Sequence, residues 1–225
     1  FTPVNCRSFI QKIFLILAIS LVSFFTGAQQ PANGYSEASY TPAQSGKFMK
    51  AWLVAGPFSV SNDPGKPGDA AQEELFKKDI ITNVSVVSSK PVAPVSVAQN
   101  NFKWQILSSK EDIINLDDFY KKKDFAYAYA LTEIKASAPT KVMLAVGSDD
   151  GIKIWHNGKL VHENWIPRGA VKDNDLVPLQ LVKGSNQLLF KVQDMEGGWA
   201  FVARLLDKPA LTDQLNPVLD RKSVV

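Results

Sequence analysis

The sequence predicts an all-β fold, an antiparallel β-sandwich, behind an N-terminal signal peptide. Three observations carry this. From Phe102 onward, apolar residues recur at every second position in run after run. The runs are bounded by Gly, Pro, Asn and Asp. Two of the boundaries, Asn157-Gly158 and Lys183-Gly184-Ser185-Asn186, are turn sequences between such runs. Period-two alternation fits strands with one buried face, and closely spaced turns fit antiparallel neighbours.

The elements follow in order. Arg7 and Lys12 precede the apolar run Ile13 to Phe25. As a helix that run spans about 20 Å, short of the roughly 30 Å hydrocarbon core. Thr26-Gly27-Ala28 supplies small residues before a cut at Gln29. These are the parts of a secretory signal peptide. Residues 1–28 are therefore expected to be removed and the protein to be secreted or periplasmic; an uncleaved anchor is the alternative. Residues 29–46, with Pro31, Gly34 and Pro42, read as a flexible linker. Residues 47–207 read as the sandwich, and 208–225, interrupted by Pro209 and Pro217, as a tail or linker.

Within the sandwich, Trp52 to Ala55 is a short strand stopped by Gly56-Pro57, and Glu73 to Ile81 is a helical turn or two. Pro91 and Pro94 confine any strand in 83–99 to a short or edge one. Asn83-Val84-Ser85 matches a glycosylation sequon and reads as chance. Strand patterns then run through Phe102/Trp104/Ile106, Tyr127/Tyr129/Leu131, Val142/Leu144/Val146, Ile152/Ile154, Val177/Leu179/Leu181, Leu188/Phe190/Val192 and Trp199/Phe201. Asn-Gly favours a two-residue hairpin turn. It pairs His156 with Lys159, Trp155 with Leu160 and Ile154 with Val161.

Composition excludes several function classes. With 225 residues and 45% hydrophobic content, one medium domain with a real core is expected. The formal charge is +3. Removing Arg7 and Lys12 from the 25 basic residues leaves 23 against 22 acidic ones. No polybasic surface for nucleic acid or anionic membrane survives. The single cysteine, Cys6, lies in the leader, so no disulfide or thiol chemistry is expected in the mature chain. His156 and His162 are the only histidines, too few for a multi-histidine zinc centre. No phosphate loop, nucleophile elbow or metalloprotease helix occurs.

The stretch Gly147-Ser148-Asp149-Asp150-Gly151-Ile152-Lys153-Ile154-Trp155-His156-Asn157-Gly158-Lys159-Leu160-Val161 resembles the central signature of galactose-binding-like jelly-roll modules. The nearest of these is the sugar-binding domain of family 2 glycoside hydrolases. Trp52 to Phe58 resembles the opening strand of such a module, Leu181 to Val192 its Gly-x-Asn turn and strand, and Gly197 to Phe201 its closing strand. Together these cover 47–207. The Ser148-Asp149-Asp150-Gly151 run is also similar to the PA14 domain, a calcium-dependent lectin-like fold whose paired aspartates hold Ca²⁺.

The resemblance implies a secreted, non-catalytic carbohydrate-binding accessory module of a bacterial polysaccharide-degrading protein, not an enzyme itself. Its expected partners are a glycan and a catalytic domain or other protein. The alternatives are a structural or protein-interaction spacer and a PA14-like calcium lectin. Candidate carbohydrate-binding residues are Trp165 and Arg168, in the loop after the hairpin, and Trp155. An aromatic ring covers the C–H face of a sugar while arginine donates to hydroxyls or a uronate. Asp149 and Asp150 are the candidate metal ligands; the competing use is a turn in which Asp accepts backbone N–H bonds. The row Phe125, Tyr127, Tyr129 either lines an open sheet face or is core. Asp173-Asn174-Asp175 either extends a Ca²⁺ site or makes a turn.

Overall fold

The computed structural model describes residues 44–59, 68–81 and 103–207 in full, and the backbone of short strands at 39–40, 86–87, 90–91, 95–97 and 100–102. The expected signal peptide, most of the linker, the 208–225 tail and the Asn83 sequon lie outside the described residues.

Two antiparallel sheets face each other. The larger contains β2 (Ala51–Ser59), β7 (Gln105–Ser108), β9 (Ala126–Ala136), β11 (Gly151–His156), β12 (Lys159–Asn164) and β14 (Gly184–Gln193), in the order β12-β11-β14-β9-β2-β7. The short β1 (Ser39–Tyr40) adds a parallel pairing to β9. The smaller contains β8 (Ile114–Asn115), β10 (Thr140–Asp149), β13 (Asp175–Leu181) and β15 (Ala200–Leu206), in the order β13-β10-β15-β8. Two small ladders, β3 (Val86–Val87) with β4 (Lys90–Pro91) and β5 (Val95–Val97) with β6 (Asn100–Phe102), stand apart from these sheets. Helices α1 (Asp69–Lys77) and α2 (Leu116–Tyr120) complete the described elements.

The alternation in the sequence explains the main core. Val142, Leu144 and Val146 of β10 face Ile152 and Ile154 of β11 and Leu188, Phe190 and Val192 of β14, all buried between the sheets. Strand β9 gives this layer Ala126, Ala128 and Ala130. It lies between β2 and β14, so those small side chains let large ones meet above it. Trp52 of β2 and Phe190 of β14 do so, with ring centroids 4.7 Å apart, and Phe201 closes on Trp52 at 5.1 Å. Each fully buried side chain of this size contributes roughly 1.5–3 kcal/mol.

The hairpin corrects one expected pairing. Asn157 and Gly158 both take positive φ, 49° and 78°, and His156–Lys159 and Trp155–Leu160 pair as expected. A bulge then shifts the register, so Ile154 opposes His162 rather than Val161. Partly buried Val161 packs against the inter-sheet core. A second correction concerns β2. It does not stop at Ala55 but runs on to Ser59, because a register shift between Ala55 and Phe58 absorbs Gly56 and Pro57. Third, the helix begins at Asp69, earlier than the expected Glu73, and ends at Lys77.

Asn186 explains the Gly-x-Asn element. Its Oδ1 accepts from the Val182 N–H at 2.8 Å, and its Nδ2 donates to the Val182 and Gly184 carbonyls at 2.8 and 3.2 Å. One buried amide thus closes the turn ahead of β14, with Gly184 at φ 97°.

Candidate functional site

The outer face of the larger sheet is not open. Tyr127 and Tyr129 of β9, Trp155 of β11, Leu189 of β14 and Leu53 and Phe58 of β2 form a second buried cluster there. Leu75 of α1 and Ile81 just after it pack onto this cluster. The aromatic row of β9 is therefore core, under a helix.

Polar groups hold α1 in place. Lys191, on β14, is fully buried. Its Nζ donates to the carbonyls of Leu75, Phe76 and Lys78 at 2.5, 2.9 and 2.9 Å. These carbonyls end the helix, where intrahelical donors run out and the partial charge is negative. Burial draws the Lys191 pKa down to about 7, with Asp79 opposing and Lys153 adding to the shift. Lys153 pairs with Asp79 at 2.8 Å and lies over the Trp155 ring at 5.4 Å. Gln193 Nε2 donates to the Gln72 carbonyl at 3.0 Å.

Held this way, α1 forms one wall of a cavity of about 310 Å³ at the end of the sandwich. Asp69 and Gln72 come from the helix, Asp150 from the turn between β10 and β11, Trp165 and Pro167 from the loop after β12, and Met195 and Glu196 from the loop after β14. Trp165 is backed by Phe76, with centroids 5.0 Å apart. A Cβ on Gly151 would stand 3.1 Å from the Trp165 ring and 3.2 Å from the Phe76 ring, so the glycine gives both rings room to lie against the strand.

Of the three expected carbohydrate contacts, the structure places only Trp165 on this cavity. Trp155 is 3% exposed, in the cluster beneath α1, and its ring is a packing surface rather than a platform. Arg168 is committed elsewhere. Its guanidinium meets both Asp175 oxygens, at 3.1 and 2.5 Å, and donates to Ser148 Oγ at 2.9 Å. Burial would raise the Asp175 pKa, but Arg168, assisted by His162, holds it below the usual carboxylate range. Asp175 thus serves an ion pair, and Asp173 pairs with Arg204.

The aspartate pair does not fit a calcium site. Asp150 is 4% exposed, and its two oxygens accept the backbone N–H groups of Arg168 and Met195, each at 2.8 Å. Among the described residues, no group of three or more His, Cys, Asp or Glu side chains is placed to hold a metal ion. Asp150 ties two cavity loops to the strand turn, the turn use weighed from the sequence. Asp149 faces Gly198, where an added Cβ would come within 2.6 Å of its carboxylate. The histidines are separately engaged, His156 beside Asn186 and His162 beside Asp175.

Sequence reasoning missed Asp194, which is 1% exposed. Its Oδ2 accepts from the Phe125 N–H at 2.9 Å, while Oδ1 is buried without a hydrogen bond. Burial, then the charges of Asp150, Asp124 and Asp117, raise its pKa to about 7 against the pull of the Phe125 N–H. Burial, then Asp150 and Asp117, raise Asp149 to about 6.

A raised native pKa means that the folded state binds the proton more tightly than the unfolded one. The stability these groups contribute is present below about pH 4, the unfolded carboxylate pKa, and is lost as pH rises towards 7. Asp194→Asn should therefore gain on the wild type in urea midpoint as pH rises through that window. A difference between the two that stays constant with pH would refute the assignment.

No protein-family model matches the chain, and no curated protein matches it in sequence. Several solved structures are similar to it. One is a β-glucosidase from Kluyveromyces marxianus, 12% identical with a TM-score of 0.42, sharing 69% of this chain and 16% of that one. Another is a β-glucuronidase from Ruminococcus gnavus, 13% identical with a TM-score of 0.38, sharing 66% and 20%. A third is the PA14 domain of the MpAFP antifreeze protein, 13% identical with a TM-score of 0.33, sharing 72% and 65%. The chain thus spans about a sixth of the β-glucosidase's length.

Proposed function

We propose that the protein is a secreted, non-catalytic module that binds carbohydrate and accompanies a polysaccharide-degrading domain. The observation that supports this reading is the cavity beside Trp165. A partly buried tryptophan, with Pro167 and Met195, offers apolar surface to the C–H face of a sugar ring. Asp69, Gln72 and Glu196 bring side chains of the kind that accept hydrogen bonds from hydroxyls. Its volume falls at the small end of ligand sites, suited to one or two sugar rings rather than a long groove.

The test is a glycan array followed by titration of any captured glycan. Trp165→Ala is expected to weaken binding about tenfold or more, since an anchoring aromatic contact is commonly worth ~1.4 kcal/mol or above. Trp165→Phe, which keeps an aromatic ring against Phe76, should retain part of it. Binding unaffected by Trp165→Ala would place the ligand elsewhere, and an array on which the wild type captures nothing would remove the reading.

A second reading, a spacer or interaction module without a sugar ligand, has its own support. Leu176 of β13 and Val182, just past the end of that strand, are exposed at 47% and 51%. Met143, Pro178, Leu179 and Leu206 line an apolar groove of about 470 Å³ on the smaller sheet. This reading predicts an empty array.

A further inference from the structure

Resting on the carbohydrate reading, we infer that Asp150 is the positioning residue of the Trp165 cavity: its one carboxylate holds both lining loops in place before a ligand arrives. Asp150 is the single residue between β10, which ends at Asp149, and β11, which begins at Gly151. Its backbone is fixed to the sandwich. Its N–H donates to the Gln193 carbonyl at 3.1 Å, and its carbonyl accepts from Ser148 Oγ at 2.6 Å. The carboxylate therefore stands on a rigid base.

Each oxygen takes a different loop. Oδ1 accepts from the N–H of Arg168, 18 residues on, and Oδ2 from that of Met195, 45 residues on, both at 2.8 Å. Arg168 directly follows Pro167, and Pro167, Trp165 and Met195 all line the cavity. The Arg168 side chain returns to the same base, donating at 2.9 Å to the Ser148 hydroxyl that bonds the Asp150 carbonyl. The Trp165 ring is braced by Phe76 and given room by Gly151, while the backbone that carries it is braced by Asp150.

The residue type separates this role from that of a plain turn. Asn serves a turn as well as Asp does. Accepting two N–H groups from opposite loops needs both carboxylate oxygens, and Asn has one acceptor and one donor there. Bonds from N–H to a carboxylate are about twice as strong as neutral ones. A loop already held does not have to be ordered by its ligand, and that ordering cost is what weakens binding.

The experiment compares the wild type with Asp150→Asn, which keeps the side-chain size. Without any ligand, trypsin cleavage after Arg168 and amide exchange in 165–169 and 195–199 read the two loops, and exchange in β9 and β14 reads the fold. The glycan captured by the wild type on the array is then titrated, with Trp165→Ala as a second background. In the wild type the Arg168 and Met195 amides should exchange slowly. In Asp150→Asn both loops should open about tenfold more often, with β9 and β14 unchanged. Glycan affinity should fall about tenfold, and by less where Trp165 is already Ala. Unchanged loops in the variant, or one loop loosened without the other, would overturn the inference and leave carbohydrate binding standing. Exchange rising equally in β9 and β14 would show general destabilisation and overturn it too. An equal affinity loss in both backgrounds would mean that Asp150 touches the ligand instead of positioning Trp165, and would also overturn it. Both loops loosened, with an array on which the wild type captures nothing, would overturn the carbohydrate reading and leave Asp150 as the residue that positions the cavity.

Discussion

Lys191→Met is expected to lower the unfolding free energy by about 2–4 kcal/mol, a drop in melting temperature of roughly 5–12 °C for a domain of this size. Methionine fills much of the volume of the lysine stem but donates no hydrogen bond. The carbonyls of Leu75, Phe76 and Lys78 would lose a buried donor together. An unpaired buried polar group costs about 1–3 kcal/mol, and part of that is recovered as the helix end rehydrates. Removing a buried cation also relieves its desolvation, which keeps the expected loss below the sum over three acceptors. Hydrogen exchange should locate the damage in 69–81 before the sheets are affected. A variant as stable as the wild type would show that the ammonium does not hold the helix.

The same lysine predicts a pH effect of definite sign. Its native pKa of about 7 lies below the roughly 10.4 of an unfolded lysine. Between these values the unfolded chain binds more protons, so stability rises with pH from about 7 towards 10. Above pH 7 the neutral amine still keeps two N–H donors for the carbonyls. The rise should be absent in Lys191→Met.

Gly147→Ala carries the second large effect. A Cβ at this position in β10 would stand 1.8 Å from the Val171 carbonyl oxygen and 2.7 Å from its carbon. Both are backbone atoms, so no side-chain rotation relieves the clash. The loop between β12 and β13 must lift by more than an ångström. That loop supplies Trp165 and Pro167 to the cavity and Arg168 to the Asp175 pair. Overpacking typically costs about 1–3 kcal/mol, and a rigid backbone obstacle puts this case at the upper end. Denaturant titration should show the loss, and glycan affinity should fall with it, although residue 147 does not line the cavity. Wild-type stability in this variant would mean that the loop does not rest on β10 in solution.

The sandwich was legible because its inward residues alternate without interruption: Val142, Leu144, Val146, then Ile152 and Ile154. Alternation names the two faces of a strand; it does not say which elements cover the second. Trp155 therefore read as a platform for a sugar ring, and the helical turns expected at Glu73 to Ile81 gave little sign that a helix would lie over it. Arg168 was misread for a related reason. A loop arginine beside a tryptophan suggests a ligand contact, but its partner, Asp175, sits seven residues on at the start of the next strand. Trp165 kept its place on a cavity because Gly151 and Phe76 leave the ring room at the sandwich end. Asp194 gave no signal, because its burial depends on a loop meeting the start of β9.

The tether between Lys191 and α1 also bears on how the site comes into being. It joins residues 116 positions apart at Leu75, and the Gln193 bond to Gln72 joins residues 121 apart. Contacts of such separation form late, because the chain loses loop entropy before it gains them. The cavity draws one wall from residues 69–72 and another from 195–196. A folding chain has no such cavity until its closing strands have docked. Any ligand that fills this cavity would then report on completed folding, and an incompletely folded chain would lack the place to hold it.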